Sequence, residues 1–190
     1  IIPTGIARKE DIDLAVSVLQ SEGAEIILLK CTTAYPTPIE EMGLLGIPMM
    51  QNDYNLDVGL SDHSLGFVAP VVATTLGAVL IEKHIKPDVN SGTVDGNFSL
   101  ASKDFKLMCE SIREAEAALG VPSYDLPQSV MDNYSSGRSL YVAKGIQKGE
   151  FLTKENIRSV RPGFGLHTKY FDDVIGRKAI KDLHLGDRLD

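Results

Sequence analysis

Glu25-Ile26-Ile27-Leu28-Leu29-Lys30-Cys31 is a nearly continuous apolar run followed at once by Thr32-Thr33. A strand with one wet face alternates apolar and polar residues. A run that is apolar throughout reads as a parallel strand covered on both faces. Upstream, Ile1 to Gly5 reads as the end of another strand. Between the two, Ile12, Ala15, Val16 and Leu19 fall at i, i+3, i+4 and i+7, one face of a helix. Downstream, Tyr35-Pro36-Thr37-Pro38 marks a turn, and a short helix is expected around Glu40 to Leu45. Leu56 to Leu60 and Val79 to His84 are the next strand candidates, with a helix from Phe67 to Leu76 between them. Lys86 to Asn97, rich in Gly, Asn and Asp, reads as a loop. Ser102 is placed to cap a last helix, which should bury Phe105, Met108, Ile112, Ala115 and Leu119 and stop at Gly120.

Four strand–helix units in succession specify a parallel α/β sheet, open or closed into a barrel. Four units cannot close an eight-stranded barrel alone. In parallel α/β folds ligands bind beyond the carboxyl ends of the strands, where this chain carries Thr32-Thr33, Ser61-Asp62-His63 and Lys83-His84. The division expected is a core of residues 1–120, a linker over 121–136 with two prolines and four serines, and a compact β-rich module over 137–190. In that module Ile146-Gln-Lys-Gly-Glu150 and Leu183-His-Leu-Gly-Asp187 look like two related turns, a hint of internal pseudo-symmetry.

With 19 basic against 26 acidic residues, a net charge of −7 and no long Lys/Arg run, the 190-residue chain is not expected to bind nucleic acid. Its longest mostly apolar run, Phe67 to Ile81, is short of the roughly 20 residues of a membrane span and contains a proline and a glycine. A soluble, cytoplasmic protein is expected. Cys31 and Cys109 form no CxxC pair and read as buried, reduced thiols. The chain opens on Ile1-Ile2 without Met, as if it were a piece of a longer protein.

His63 and His84 end consecutive strand candidates. Adjacent strands lie about 4.8 Å apart, so two imidazoles at one level can share a metal ion. Each can instead be a hydrogen-bonded structural residue. Lys83 at a strand end needs an anionic partner, either a ligand or a salt-bridging residue of the chain, because an unpaired buried ammonium is costly. Asp95 is either a turn former or a ligand, and Arg161, taken alone, is a surface arginine.

In order along the chain, Leu28-Leu-Lys-Cys-Thr-Thr-Ala-Tyr-Pro-Thr-Pro38, Val58-Gly-Leu-Ser-Asp-His63, Ile81-Glu-Lys-His84, Asp95 with Phe98-Ser-Leu100, Arg138-Ser-Leu140, Gly149-Glu150 and Arg161-Pro162-Gly163 resemble the sialic acid (nonulosonic acid) synthase family. Lys30, Ala73-Thr-Thr-Leu-Gly77 and Gly165-Leu-His-Thr-Lys169 are most similar to its pseudaminic acid synthase branch. The resemblance implies that residues 1–120 are strands five to eight of a (β/α)8 TIM barrel and that 137–190 form an antifreeze-like (SAF) domain. It implies a divalent metal, Mn²⁺ by preference, held by His63 and His84. Two neutral imidazoles with no thiolate and several open positions suit such an ion better than structural zinc.

Catalysis is thereby placed on His63, His84 and Lys83. Contacts to phosphoenolpyruvate fall to Ser61, Lys83 and Thr33, and contacts to the sugar fall to Tyr35 and Asp95. Arg161 would reach the partner subunit's site in a homodimer whose modules are exchanged. Pro3 departs from the family, which has a phosphate-facing serine there. The implied reaction condenses phosphoenolpyruvate with an acetamido sugar aldehyde and releases phosphate. Barrel strands one to four are missing, so this chain alone is expected to be inactive. Sialic acid synthesis from N-acetylmannosamine, a metal-dependent aldolase without the module, and a non-catalytic carbohydrate- or ice-binding fragment stay open as alternatives.

Overall fold

A computed structural model describes residues 1–88 and 92–190; residues 89–91, in the expected loop after Lys86, lie outside the described residues. The chain divides into two units, Ile1–Val121 and Pro122–Asp190. The first unit runs β1 (Ile2–Pro3), α1 (Lys9–Ser21), β2 (Ile27–Cys31), α2 (Gly46–Tyr54), β3 (Asp57–Asp62), α3 (Val68–Thr75), β4 (Ile81–Lys83), β5 (Ile85–Lys86), β6 (Leu100–Ala101) and α4 (Ser102–Leu119). Strands β1 to β4 form one parallel sheet in sequential order. This is the alternating α/β pattern read from the apolar runs.

Alternation along the strands decides what each face carries. Leu28, Val58, Leu60 and Ile81 pack with Val16, Ile47, Met50, Ala69 and Ala73 from α1, α2 and α3, while Phe67, Val71 and Ile81 meet Phe105, Met108 and Ile112 of α4. The helices therefore cover the face bearing the even-numbered residues of β2 and β3. Leu29, Cys31, Gly59, Ser61 and Glu82 belong to the opposite face. Gly59 is needed where β3 runs against the residue before β4. A Cβ there would come within 2.4 Å of the Leu80 carbonyl and 2.7 Å of the Leu29 side chain.

Several local expectations are corrected. The helix placed at Glu40 to Leu45 is a single 3₁₀ turn, Ile39–Glu41, and the real helix is α2, ended by Asn55 in the left-handed region at φ 50°. Ser102 does not cap α4. It is the first helical residue, and its hydroxyl donates to the Pro87 carbonyl at 2.7 Å. Met108 and Ile112 are buried as expected, whereas Leu119 and Cys109 are exposed. Cys31 is buried.

In the second unit the stretch read as a linker without a helical period carries α5 (Gln128–Tyr134), followed by β7 (Ser139–Val142), β8 (Ile157–Val160) and α6 (Phe171–Val174). β7 and β8 are antiparallel. The core is Leu140, Val142, Ile146, Leu152, Ile157, Ala179 and Leu189. The two turns noticed in the sequence are related by an internal pseudo-two-fold. Ile146 and Leu183 exchange N–H···O bonds in both directions, at 2.9 and 2.8 Å. Gly149 N–H donates to the Ala179 carbonyl and, at the matching position, Gly186 N–H donates to Val142. Glu150 closes its turn on Gln147 N–H and Asp187 closes the other on His184 N–H, both at 2.7 Å. Gly149 and Gly186 share a φ of 92°, a region closed to most side chains.

Candidate functional site

The site lies beyond the carboxyl ends of β3 and β4. Cys31 pairs with Ser61, Ser61 with Glu82, and Asp62 with Lys83. One step further along, His63 and His84 come level. Their ring centroids are 5.3 Å apart with planes inclined at 59°. The chain holds both residues by their backbones as well. Thr37 N–H donates to the His63 carbonyl at 3.0 Å, and Leu100 N–H donates to that of His84 at 2.9 Å.

Aromatic rings frame the pair. Tyr35 lies 4.4 Å from the His63 ring. Phe98 stands edge-on to both imidazoles, at 6.4 Å from His63 and 5.0 Å from His84, and touches Tyr35 at 5.2 Å. Buried His63 has its Nδ1 3.3 Å from the Thr32 carbonyl and 3.9 Å from Cys31 Sγ. A carbonyl partner assigns the proton to Nδ1 and leaves the Nε2 lone pair for a ligand. His84 has the Asp95 carboxylate 3.7 Å from its Nδ1, with side-chain exposures of 36% and 56%. Asp95 is thus next to His84.

The donor set fits a divalent ion that keeps most of its coordination sphere open. Two imidazoles that bind one ion, each nitrogen about 2.1 Å from it, hold their centroids roughly 4.5–6 Å apart. The observed 5.3 Å falls inside that range. Among the described residues no three His, Cys, Asp or Glu side chains converge in metal-holding geometry.

The residues expected to meet phosphoenolpyruvate have different fates. Ser61 Oγ donates to Glu82 Oε1 at 2.6 Å. Strand alternation puts Ser61, His63, Glu82 and His84 on one face and Asp62 and Lys83 on the other, which brings in Glu82, a residue with no role among the sequence expectations. The signal was therefore present in the Ile81-Glu-Lys-His84 string. Lys83 finds its anion within the chain. Its ammonium is 2.7 Å from Asp62 Oδ2, both side chains have no exposure, and it also donates to the Ser64 carbonyl. This is the salt-bridging alternative that the sequence left open.

Thr33 is exposed just past β2, with its hydroxyl against Gly5. Beside Pro3, the hydroxyl and N–H of Thr4 both point to the Leu29 carbonyl, at 2.9 and 3.1 Å, so that hydroxyl does not replace the missing serine. Lys30, the branch marker, lies half-buried against Gly43 and Gly46. Its ammonium bonds the Cys31 carbonyl at 3.0 Å, and burial pulls its pKa below the ordinary lysine value.

Arg161 belongs to the second unit, exposed beyond β8 and ahead of the cis-Pro162 bond. His167 accepts from Lys169 N–H at 3.0 Å and caps a 3₁₀ turn. His184 sits 3.6 Å from Asp187.

A parallel α/β sheet with two imidazoles at adjoining strand ends, followed along the chain by a pseudo-symmetric small module, defines a class for which comparison with known proteins is informative. The family model described as the NeuB family matches residues 1–124, and that of the SAF domain matches residues 137–189. The chain belongs to the NeuB family. It is 46% identical over 190 residues, all of this chain, to pseudaminic acid synthase of Campylobacter jejuni subsp. jejuni serotype O:23/36, and 40% identical over 185 residues, 96% of this chain, to pseudaminic acid synthase of Helicobacter pylori. It spans only about half of those relatives, 55% and 54% of their lengths. Among solved structures, the spore coat polysaccharide biosynthesis protein SpsE of Bacillus subtilis superposes with a TM-score of 0.60 at 30% identity, covering 100% of this chain and 59% of that one. Among the described residues no helix is long and apolar enough to cross a membrane.

Proposed function

We propose that the full-length protein is a nonulosonic acid synthase, condensing phosphoenolpyruvate with a 2,4-diacetamido sugar aldehyde to form pseudaminic acid. The observation that carries this is the His63–His84 pair at 5.3 Å, level at two strand ends and framed by Tyr35, Phe98 and Asp95. Membership of the NeuB family and the likeness to two pseudaminic acid synthases support it. In this reading residues 1–120 supply strands five to eight of a (β/α)8 barrel, residues 137–190 form the antifreeze-like module, and the intervening segment lets modules exchange in a homodimer.

His63 and His84 would hold the divalent ion, Mn²⁺ by preference. When bound, it supplies Lewis-acid polarisation of the aldehyde oxygen. The rest is work for this chain's own side chains. Tyr35 and Asp95, at the two edges of the imidazole pair, hold the open-chain sugar with its aldehyde carbon toward C3 of phosphoenolpyruvate. Thr33 offers a hydroxyl donor to the phosphate or carboxylate, while the single Ser61 hydroxyl proton is given to Glu82. A C–C bond forms between C3 and the aldehyde carbon, water adds at C2, and the tetrahedral intermediate expels inorganic phosphate by C–O cleavage, leaving a 2-keto acid. Glu82, oriented by Ser61, takes the proton from the adding water. Arg161 of one subunit meets the sugar's acetamido group in its partner's site.

The test is phosphate release by the full-length protein. Release that requires phosphoenolpyruvate and sugar together, with the diacetamido sugar preferred in competition, is expected. A preference for N-acetylmannosamine would move the protein to the sialic acid branch. Absence of release with either sugar overturns the synthase reading.

A further inference from the structure

The Asp62–Lys83 ion pair does no surface work, since both side chains are without exposure. A buried pair of this kind is weak support for stability, because desolvation offsets most of the attraction. Its place in the chain is what distinguishes it. Asp62 precedes His63 and Lys83 precedes His84, and the two are register partners across β3 and β4. Asp62 Oδ1 also accepts the N–H of Ser64 at 2.8 Å, while the Lys83 ammonium donates to the Ser64 carbonyl. The pair thus grips the backbone on both sides of His63 and ties it to the residue next to His84.

We infer that Asp62 and Lys83 are positioning residues that set the spacing of the two imidazoles from the rear face of the sheet, and that Lys83 is not a ligand for phosphoenolpyruvate. This rests on the reading that His63 and His84 share one ion. Each imidazole is aimed by contacts of its own on the front face, Thr32 for His63 and Asp95 for His84. Those contacts orient a ring but do not join the two histidines to each other, and the ladder and the Ser61–Glu82 bond link the strands before the histidines are reached. The Asp62–Lys83–Ser64 tie carries that link to the residues flanking His63, and the metal-binding geometry is then prepared before the ion arrives.

The experiment is Mn²⁺ binding to the full-length protein, read from the electron paramagnetic resonance signal of the free ion, with thermal melting of each metal-free variant. Asp62→Asn/Lys83→Met cuts the tie, removes both charges together and keeps the local acceptor for Ser64 N–H. It should melt cooperatively yet bind Mn²⁺ about 10–100-fold more weakly, the usual cost of losing support behind a metal ligand. Equal Mn²⁺ affinity in a cooperatively folded double variant overturns the inference. So does a variant that keeps its Mn²⁺ affinity and loses only affinity for phosphoenolpyruvate, the result expected of a substrate-binding lysine.

Should the double variant fail to melt cooperatively, Lys83→Arg decides. It keeps the charge but replaces a compact ammonium with a planar fork, and unchanged Mn²⁺ affinity there overturns the inference equally. His63→Ala is the control for the underlying reading. If it binds Mn²⁺ as wild type does, the shared-ion site is wrong and the positioning role falls with it. If it does not bind while the tie variants bind normally, only the positioning role is lost.

Discussion

His63 and His84 stand side by side because the residues before them, Asp62 and Lys83, are partners in the parallel register of β3 and β4. Two strand ends that finish level bring two imidazoles together. The same register brings Ser61 to Glu82, which gives the site a hydrogen-bonded carboxylate on the face that carries the imidazoles.

Glu82→Gln should therefore lower kcat by about 10²–10⁴-fold, the range for loss of a general acid–base group. Its Mn²⁺ affinity should stay within a few-fold of wild type. Steady-state kinetics paired with metal titration check this. A variant with near-normal kcat would remove Glu82 from the chemistry.

Gly59→Ala probes the close approach of β3 to Leu80. The added methyl would lie 2.4 Å from a backbone carbonyl, so the strands must part. Overpacking of this kind costs about 1–3 kcal/mol. Because the displaced strand carries His63, Mn²⁺ affinity should fall along with the melting temperature. A melt unchanged from wild type would contradict the packing described.

Lys30 gives a pH dependence with a definite sign. Burial lowers its folded-state pKa below the ordinary value of 10.5. Between that lowered pKa and the ordinary one, the unfolded chain binds more protons than the folded one, so this residue's contribution makes stability rise with pH. Below the window both states are charged and the folded state bears the desolvation cost. Lys30→Met should raise the melting temperature at neutral pH and flatten the alkaline rise. Denaturant titrations of both proteins from pH 7 to pH 11 test it, and an identical pH profile for the two would contradict it.

Gly149 and Gly186 occupy matching places in the pseudo-symmetric module, each at φ 92°. Ala at either should destabilise by a similar amount, about 1–2 kcal/mol for forcing a side chain into the left-handed region. Chemical denaturation compares them. A large difference between the two would show that the internal symmetry is only apparent.

Much of this arrangement was legible in the residues, for identifiable reasons. The continuous run from Ile26 to Leu29 and the repeated strand-to-helix changes specified a parallel sheet, and matched endings in Ser61-Asp62-His63 and Glu82-Lys83-His84 put the imidazoles level. The period of two along a strand sends neighbours to opposite faces, so Glu82 shares the face of Ser61 and Lys83 that of Asp62, a division that the residue types in Glu82-Lys83-His84 do not announce. Helix α2 escaped notice because Gly46, Pro48, Asn52 and Asp53 blur its helical period. Helix α5 did so because a short polar segment carries too few apolar positions to show one. Phe98 stood only within a family-like segment, because its nearness to the imidazoles comes with the Leu100 N–H bond to the His84 carbonyl, a contact between residues far apart in sequence that no periodicity shows.

In the proposed function, His63 and His84 form one catalytic metal site whose ion is not needed for the fold. Activity and thermal melting of the full-length protein, measured after complete chelation and again after Mn²⁺ is restored, test it most directly. The expected result is loss of phosphate release on chelation with the melting transition still cooperative, since the core rests on apolar strands and helices, and recovery of release with Mn²⁺. Activity that survives complete metal removal, or a fold that collapses with it as a structural zinc protein does, would contradict the claim.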